Sequence, residues 1–122
     1  IAVENVEFLF KYSWRVIRDL NLSICSDTGH LLAGYSREYT IMNFLQRYWD
    51  RIVEIHLHDG YVERIGGYVV RKDHLPLGKG NIPLKEFVKY LVKYEFKGVI
   101  VFELPLKQAM ESLELLSKLC KH

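Results

Sequence analysis

The chain has 122 residues, 49% of them hydrophobic and 26% charged, and its 17 Lys+Arg against 15 Asp+Glu give a formal charge of +2. That is the ordinary balance of a globular domain with one modest core, too near neutral either to suggest or to exclude a nucleic-acid partner. No apolar run approaches the roughly 20 residues that span a bilayer, no signal peptide is visible, and two distant cysteines make no disulfide framework.

The elements follow in chain order. Ile1-Ala2-Val3 is a strand-sized apolar run, and Ser13 is placed to cap a helix carrying Trp14, Val16, Ile17 and Leu20. The chain opens on Ile rather than Met and enters this run directly, so an upstream start is expected. Leu22-Ser23-Ile24-Cys25 is a second strand, and a helix over residues 37–48 carries Ile41, Phe44, Leu45 and Tyr48. Ile52-Val53-Glu54-Ile55 is a third strand. Its connection to the next helix, residues 59–82, is long and holds five glycines. Long connections inside compact domains are usually functional, and Tyr61–Val70 reads as a small hairpin turned at Gly66-Gly67. Leu84, Phe87, Val88, Leu91 and Val92 share one helical face, with Pro83 at its start and Gly98 beyond its end. Val99-Ile100-Val101-Phe102 is the fourth strand. Ala109, Met110, Leu113, Leu116 and Cys120 form the apolar face of a closing helix. Cys25 and Cys120 both read as buried thiols of a reducing compartment. The order βαβαβαβα argues for one domain, residues 1–122, with a parallel sheet and crossover helices. Periodicity does not separate an open sheet from a barrel.

Each apolar run ends in a polar group: Glu4-Asn5, Asp27-Thr28-Gly29-His30, His56-Leu57-His58-Asp59 and Glu103. In parallel α/β architectures the C-terminal strand ends converge on one face. Glu4, Asp27, His56 and Glu103 are therefore expected to meet. Three carboxylates and an imidazole suit a divalent cation: Mg²⁺ by the oxygens, Mn²⁺, Co²⁺ or Zn²⁺ by the imidazole as well. Without a cation, three buried carboxylates repel and take up protons. Each residue also has a plainer reading. A strand-end Glu serves as a helix cap or ion pair, Asp27 as an Asx-turn residue, and His56 or His58 as a hydrogen-bonded core histidine. The agreement of four strand ends favours the metal.

Taken together, these pieces resemble the xylose isomerase-like TIM-barrel superfamily, which includes sugar-phosphate isomerases and epimerases and endonuclease IV. The matching stretches are Ile1 to Asn5, Asp27 to His30 with Ala33-Gly34-Tyr35, His56 to Asp59, His74 to Ile82, and Gly98 to Glu103. The resemblance implies that Glu4, Asp27, His56 and Glu103 end the fifth to eighth barrel strands and hold a shared divalent metal. It implies that His30 contacts substrate in the epimerases or a further zinc in endonuclease IV. His74 matches another zinc ligand of the endonuclease. The family pattern has Asp two residues before that histidine, where this chain has Lys72, which weakens the endonuclease reading. Asp73 is the neighbouring carboxylate.

The resemblance further implies a cytoplasmic metal-dependent sugar or sugar-phosphate isomerase or epimerase. Glu4 and Glu103 would move the proton beside a carbonyl, with His30 as the third catalytic group. His58 and Lys79 are additional candidates for metal or substrate, although Lys79 in Gly78-Lys79-Gly80 reads equally as a solvated loop charge. The alternatives are an abasic-site phosphodiesterase and a non-catalytic partial barrel. A complete barrel takes about 250 residues, so this chain is expected to be the C-terminal half of one. Either an N-terminal half on the same or another chain, or pairing of two copies, would complete it.

Overall fold

The computed structural model describes residues 1–120. Its main sheet has four parallel strands in the order β1 (Ala2–Glu4), β2 (Ser23–Asp27), β3 (Ile52–Leu57) and β6 (Val99–Phe102). Helices α1 (Lys11–Asp19), α2 (Thr28–Leu32), α3 (Ile41–Tyr48), α4 (Leu84–Lys93) and α5 (Leu106–Cys120) follow or join the strands. The long connection after β3 is an antiparallel hairpin, β4 (Asp59–Ile65) and β5 (Tyr68–Leu75), turned at Gly66-Gly67. It is longer than the sequence pattern suggests. Four parallel strands with alternating helices make half of a TIM barrel.

Strand register decides what faces what. Glu4 pairs with Cys25, Asp27 with His56, and His56 with Val101. Paired residues share a face and side chains alternate along each strand. One face therefore carries Glu4, Cys25, Asp27, Glu54, His56, Val99 and Val101. The other carries Val3, Ile24, Ile55, Leu57, Ile100 and Phe102. A bulge between β2 and β3 skips one residue, pairing Ile24 with Ile52 but Cys25 with Glu54. The extra residue, Val53, is pushed into solvent, while Ile52 and Ile55 both reach the core.

The helix-facing side holds the core. Ile24, Ile52, Ile55 and Leu57 pack with Ile17 of α1, Phe44 and Leu45 of α3, and Phe87 and Leu91 of α4. Each such buried side chain contributes about 1.5–3 kcal/mol relative to exposure. Phe10, Phe44 and Tyr48 add a ring cluster with centroids 4.7–5.1 Å apart. The opposite face is open along β6 among the described residues: Val99 is 61% exposed and Val101 38%.

Several expectations change here. Ser13 lies inside α1 and caps nothing. The helix starts at Lys11 because Phe10, 1% exposed, is locked into the ring cluster. The second helix begins at Ile41, not 37, since the Thr40 side chain accepts the Asn43 N–H. Helix α5 turns a different face inward. Ser112 is buried, Met110 and Leu113 are exposed, and Cys120 is exposed rather than buried. The cause is polar: the Leu77 N–H donates to Ser112 Oγ at 3.1 Å, drawing that hydroxyl inside. Among the described residues no helix is long and apolar enough to cross a membrane.

Candidate metal centre

Strands β1 and β2 end with Glu4 and Asp27, His56 is the last residue but one of β3, and Glu103 directly follows β6, so all four lie towards one rim. His56 Nδ1 lies 3.2 Å from Glu4 Oε1 and 3.0 Å from Glu103 Oε1. Its other nitrogen, Nε2, lies 3.0 Å from Glu54 Oε1. Despite the two nearby oxygens, Nδ1 makes no hydrogen bond, because neither oxygen has the direction one requires. Among the described residues it alone is a buried side-chain polar atom without a partner. Leaving such an atom unsatisfied costs about 1–3 kcal/mol.

Asp27 is held from every side. Asn5 clamps its backbone, donating to the Asp27 carbonyl at 3.0 Å and accepting the Asp27 N–H at 2.7 Å. The carboxylate caps α2, with Oδ1 accepting the His30 N–H at 2.9 Å and His58 Nε2–H at 2.6 Å. Oδ2 remains, 3.4 Å from His30 Nδ1. His30 Nδ1 also lies 3.0 Å from the Asn5 carbonyl. A carbonyl can only accept, so the network puts the proton on Nδ1 and leaves Nε2 as an acceptor. That nitrogen lies 3.8 Å from Asp73 Oδ2.

Electrostatics follow from this packing. Burial and the Asp27 carboxylate push the Glu4 carboxyl above its ordinary range, and His56 and His30 reverse this only in part. Burial also pushes on Asp27, but the His58 N–H, the His30 amide and the two imidazoles outweigh it and hold the carboxyl low. For His56, burial opposes the charged ring, yet the Glu54 hydrogen bond and the Glu4 and Glu103 charges prevail and raise its pKa. Burial and the surrounding carboxylates push the Cys25 thiol up to about 12, so it stays a neutral S–H.

The expected quartet does not form a single tight cluster. Ligand atoms of Glu4, Asp27 and His30 come within 4.8 Å of one another, as do those of Glu4, Cys25 and His56, so Glu4 joins the two groups. Glu103 is tied in through His56. A further group, Glu7, His30 and Asp73, meets the same distance. His58 is wholly buried, and its two nitrogens are used by Asp27 and by the His74 N–H, leaving neither open to a ligand. His74 stacks on the His58 ring at 4.3 Å and takes a left-handed backbone, φ 56°, held by that N–H bond. Lys79 is exposed on the turn closed by its own N–H and the Pro76 carbonyl. Sequence reasoning passed over Glu54, Asn5 and Asp59. Asn5 and Asp59 had a signal, lying beside the strand-end ligands.

The family described as xylose isomerase-like TIM barrel matches residues 1–119. The chain belongs to that family. It superposes on a xylose isomerase domain protein from Planctomyces limnophilus with TM-score 0.76 and 21% identity, covering 98% of this chain and 44% of that one. It also superposes on a D-tagatose 3-epimerase-like protein with TM-score 0.70 and 25% identity, covering 99% of this chain and 46% of that one. The chain thus spans less than half the length of either. No curated protein matches it in sequence.

In this xylose isomerase-like half barrel, the rim suits a divalent cation by its chemistry. Three carboxylates and one imidazole supply hard oxygens and one borderline nitrogen. The orphaned His56 Nδ1, set between two carboxylates, is the atom a cation would satisfy.

Proposed function

We propose that the chain is the C-terminal half of a cytoplasmic metal-dependent sugar or sugar-phosphate isomerase or epimerase. The supporting observation is the unpartnered His56 Nδ1 between Glu4 and Glu103. Glu4, Asp27, His56 and Glu103 are the proposed ligands. A bound divalent ion supplies Lewis acidity toward a substrate carbonyl. Glu4 and Glu103 then act as the pair that removes and returns the proton on the adjacent carbon. The raised pKa of Glu4 brings its basicity nearer to that of a proton shuttle working at neutral pH. His30, anchored through Nδ1–H to the Asn5 carbonyl, presents Nε2 as an acceptor for a sugar hydroxyl. The substrate's second wall comes from four further βα units that cover the exposed Val99 and Val101 face and pair with the edge strands β1 and β6.

The test is turnover by the full protein with Mn²⁺ or Co²⁺, for ketose C3 epimerisation and aldose–ketose exchange, against Glu103→Gln. The expected result is turnover by wild type and none by the variant. Absence of both metal binding and turnover across a broad sugar panel overturns the reading.

The Glu7, His30 and Asp73 group favours a second reading, an abasic-site phosphodiesterase with additional zinc. It requires more than one zinc per barrel by elemental analysis and incision of an abasic duplex.

A further inference from the structure

We propose that Glu54 is a positioning residue, fixing which nitrogen of His56 is offered to the cation; this rests on the metal-centre reading above. Glu54 precedes His56 by two residues in β3, so strand alternation sets both side chains on the face opposite the core. The bulge at Val53 brings Glu54 opposite Cys25, directly beneath the rim. There Glu54 Oε1 lies 3.0 Å from His56 Nε2.

An ionised carboxylate accepts and never donates, so the shared proton belongs to Nε2. In the neutral ring this leaves the lone pair on Nδ1, the nitrogen beside Glu4 and Glu103 that has no hydrogen-bond partner. Glu54 itself sits on the far nitrogen and donates no atom to the ion. Its contribution is to select one tautomer, to hold the ring's rotation and to raise the ligand's basicity, as outer partners of metal-bound histidines do. Without it, the ring can flip or carry its proton on Nδ1, and either change removes the lone pair from the rim. An exposed ion pair with no such role would contribute little. Glu54 is 35% exposed, so the two accounts require an experiment to separate them.

The experiment compares wild type with Glu54→Val, Glu54→Ala and Glu54→Gln in the full protein. The first readout is the ¹⁵N shifts of the His56 ring in metal-free protein, at a pH that leaves the ring neutral. The second is the Mn²⁺ dissociation constant by calorimetry. Wild type is expected to show one tautomer, protonated on Nε2. Valine and alanine, two ways of removing the acceptor in case one does not fold, are expected to mix the tautomers and weaken Mn²⁺ binding by about 10–100-fold. Glutamine, whose amide oxygen still accepts Nε2–H, is expected to restore the tautomer and most of the affinity. An unchanged tautomer and unchanged dissociation constant on removal of the acceptor overturn the proposal. Should wild type bind no Mn²⁺, the metal-centre reading fails, and the ring shifts alone still decide the role of Glu54.

Discussion

The His58 ring donates Nε2–H to Asp27 Oδ1 at 2.6 Å and accepts the His74 N–H through Nδ1 at 2.6 Å, so one buried imidazole joins β2 to the hairpin. Thr28 Oγ1 fixes the same residue's backbone, donating to the His58 carbonyl at 2.7 Å and accepting its N–H at 3.1 Å. Replacing His58 with leucine keeps bulk but orphans the His74 backbone N–H and takes from the buried Asp27 Oδ1 one of its two donors, leaving it only the His30 N–H. An orphaned buried group costs about 1–3 kcal/mol and a lost hydrogen bond to a charged group about 1.5–3, so His58→Leu should lose about 2–4 kcal/mol in urea unfolding. A loss under about 1 kcal/mol, no more than an average substitution, would show that water replaces the ring's bonds.

Gly29 has no side chain because His58 occupies the space. A Cβ there would run into the His58 ring atoms Cε1, Nδ1 and Nε2. Gly29→Ala should therefore cost about 1–3 kcal/mol by overpacking. It should also weaken metal binding, because the displaced ring is the one that orients Asp27. Wild-type affinity in a destabilised Gly29→Ala variant would separate the His58 network from the metal centre.

The strand ends were legible because β-branched clusters and abrupt polar terminators survive in the linear sequence. Val3-Glu4, Cys25 through Asp27, Ile55-His56 and Phe102-Glu103 each carry both signals. What Glu54 and His58 do was not legible. Residue type says that an imidazole exists, but not that both its nitrogens are already taken. The bulge at Val53 is equally silent, since Ile52-Val53-Glu54-Ile55 reads as an unbroken strand. The inward face of α5 was misjudged because counting apolar residues favours Met110 and Leu113, whereas a hydrogen bond from Leu77 brings Ser112 inside.

Stability and metal binding should depend on pH in opposite directions. Burial opposes the His56 charge, but Glu54, Glu4 and Glu103 raise its pKa above the ordinary 6.5. A raised folded-state pKa gives stability that is complete below the unfolded value and is lost as pH rises through the folded one. His74, raised by its hydrogen bond to Asp73, acts in the same sense. Glu4, raised from 4.5 chiefly by burial and by Asp27, does so at lower pH. Asp27 is held below 3.8 and contributes the reverse, stability present above 3.8 and lost only as pH falls through its folded value. The metal-free protein should therefore melt at a lower temperature as pH is raised from about 6 to about 9. A cation competes with the His56 proton, so the stabilisation by Mn²⁺ should grow over the same range. Melting curves with chelator and with Mn²⁺ check both. A Mn²⁺ effect that stays flat with pH would mean that His56 is not a ligand.

Asp59 is fully buried and organises the segment that follows the hairpin. Its Oδ1 accepts the N–H groups of Gly60 at 2.8 Å and Ile82 at 3.0 Å, and its Oδ2 accepts that of Gly78 at 2.9 Å. Gly80 packs so closely that a Cβ would meet Asp59 Oδ1 and the Gly60 backbone. In Asp59→Asn one acceptor becomes an NH₂ group, and at least one of these backbone donors then faces another donor. About 1–3 kcal/mol should be lost, and the loss should fall on residues 76–82 more than on the sheet. Lys79, exposed on that turn, offers a local reporter. Trypsin should cut after Lys79 early in the variant and late in wild type. Equal cutting rates, with Asp59→Asn otherwise folded, would mean that the turn holds itself through the Lys79 N–H to Pro76 bond and not through the carboxylate beneath it.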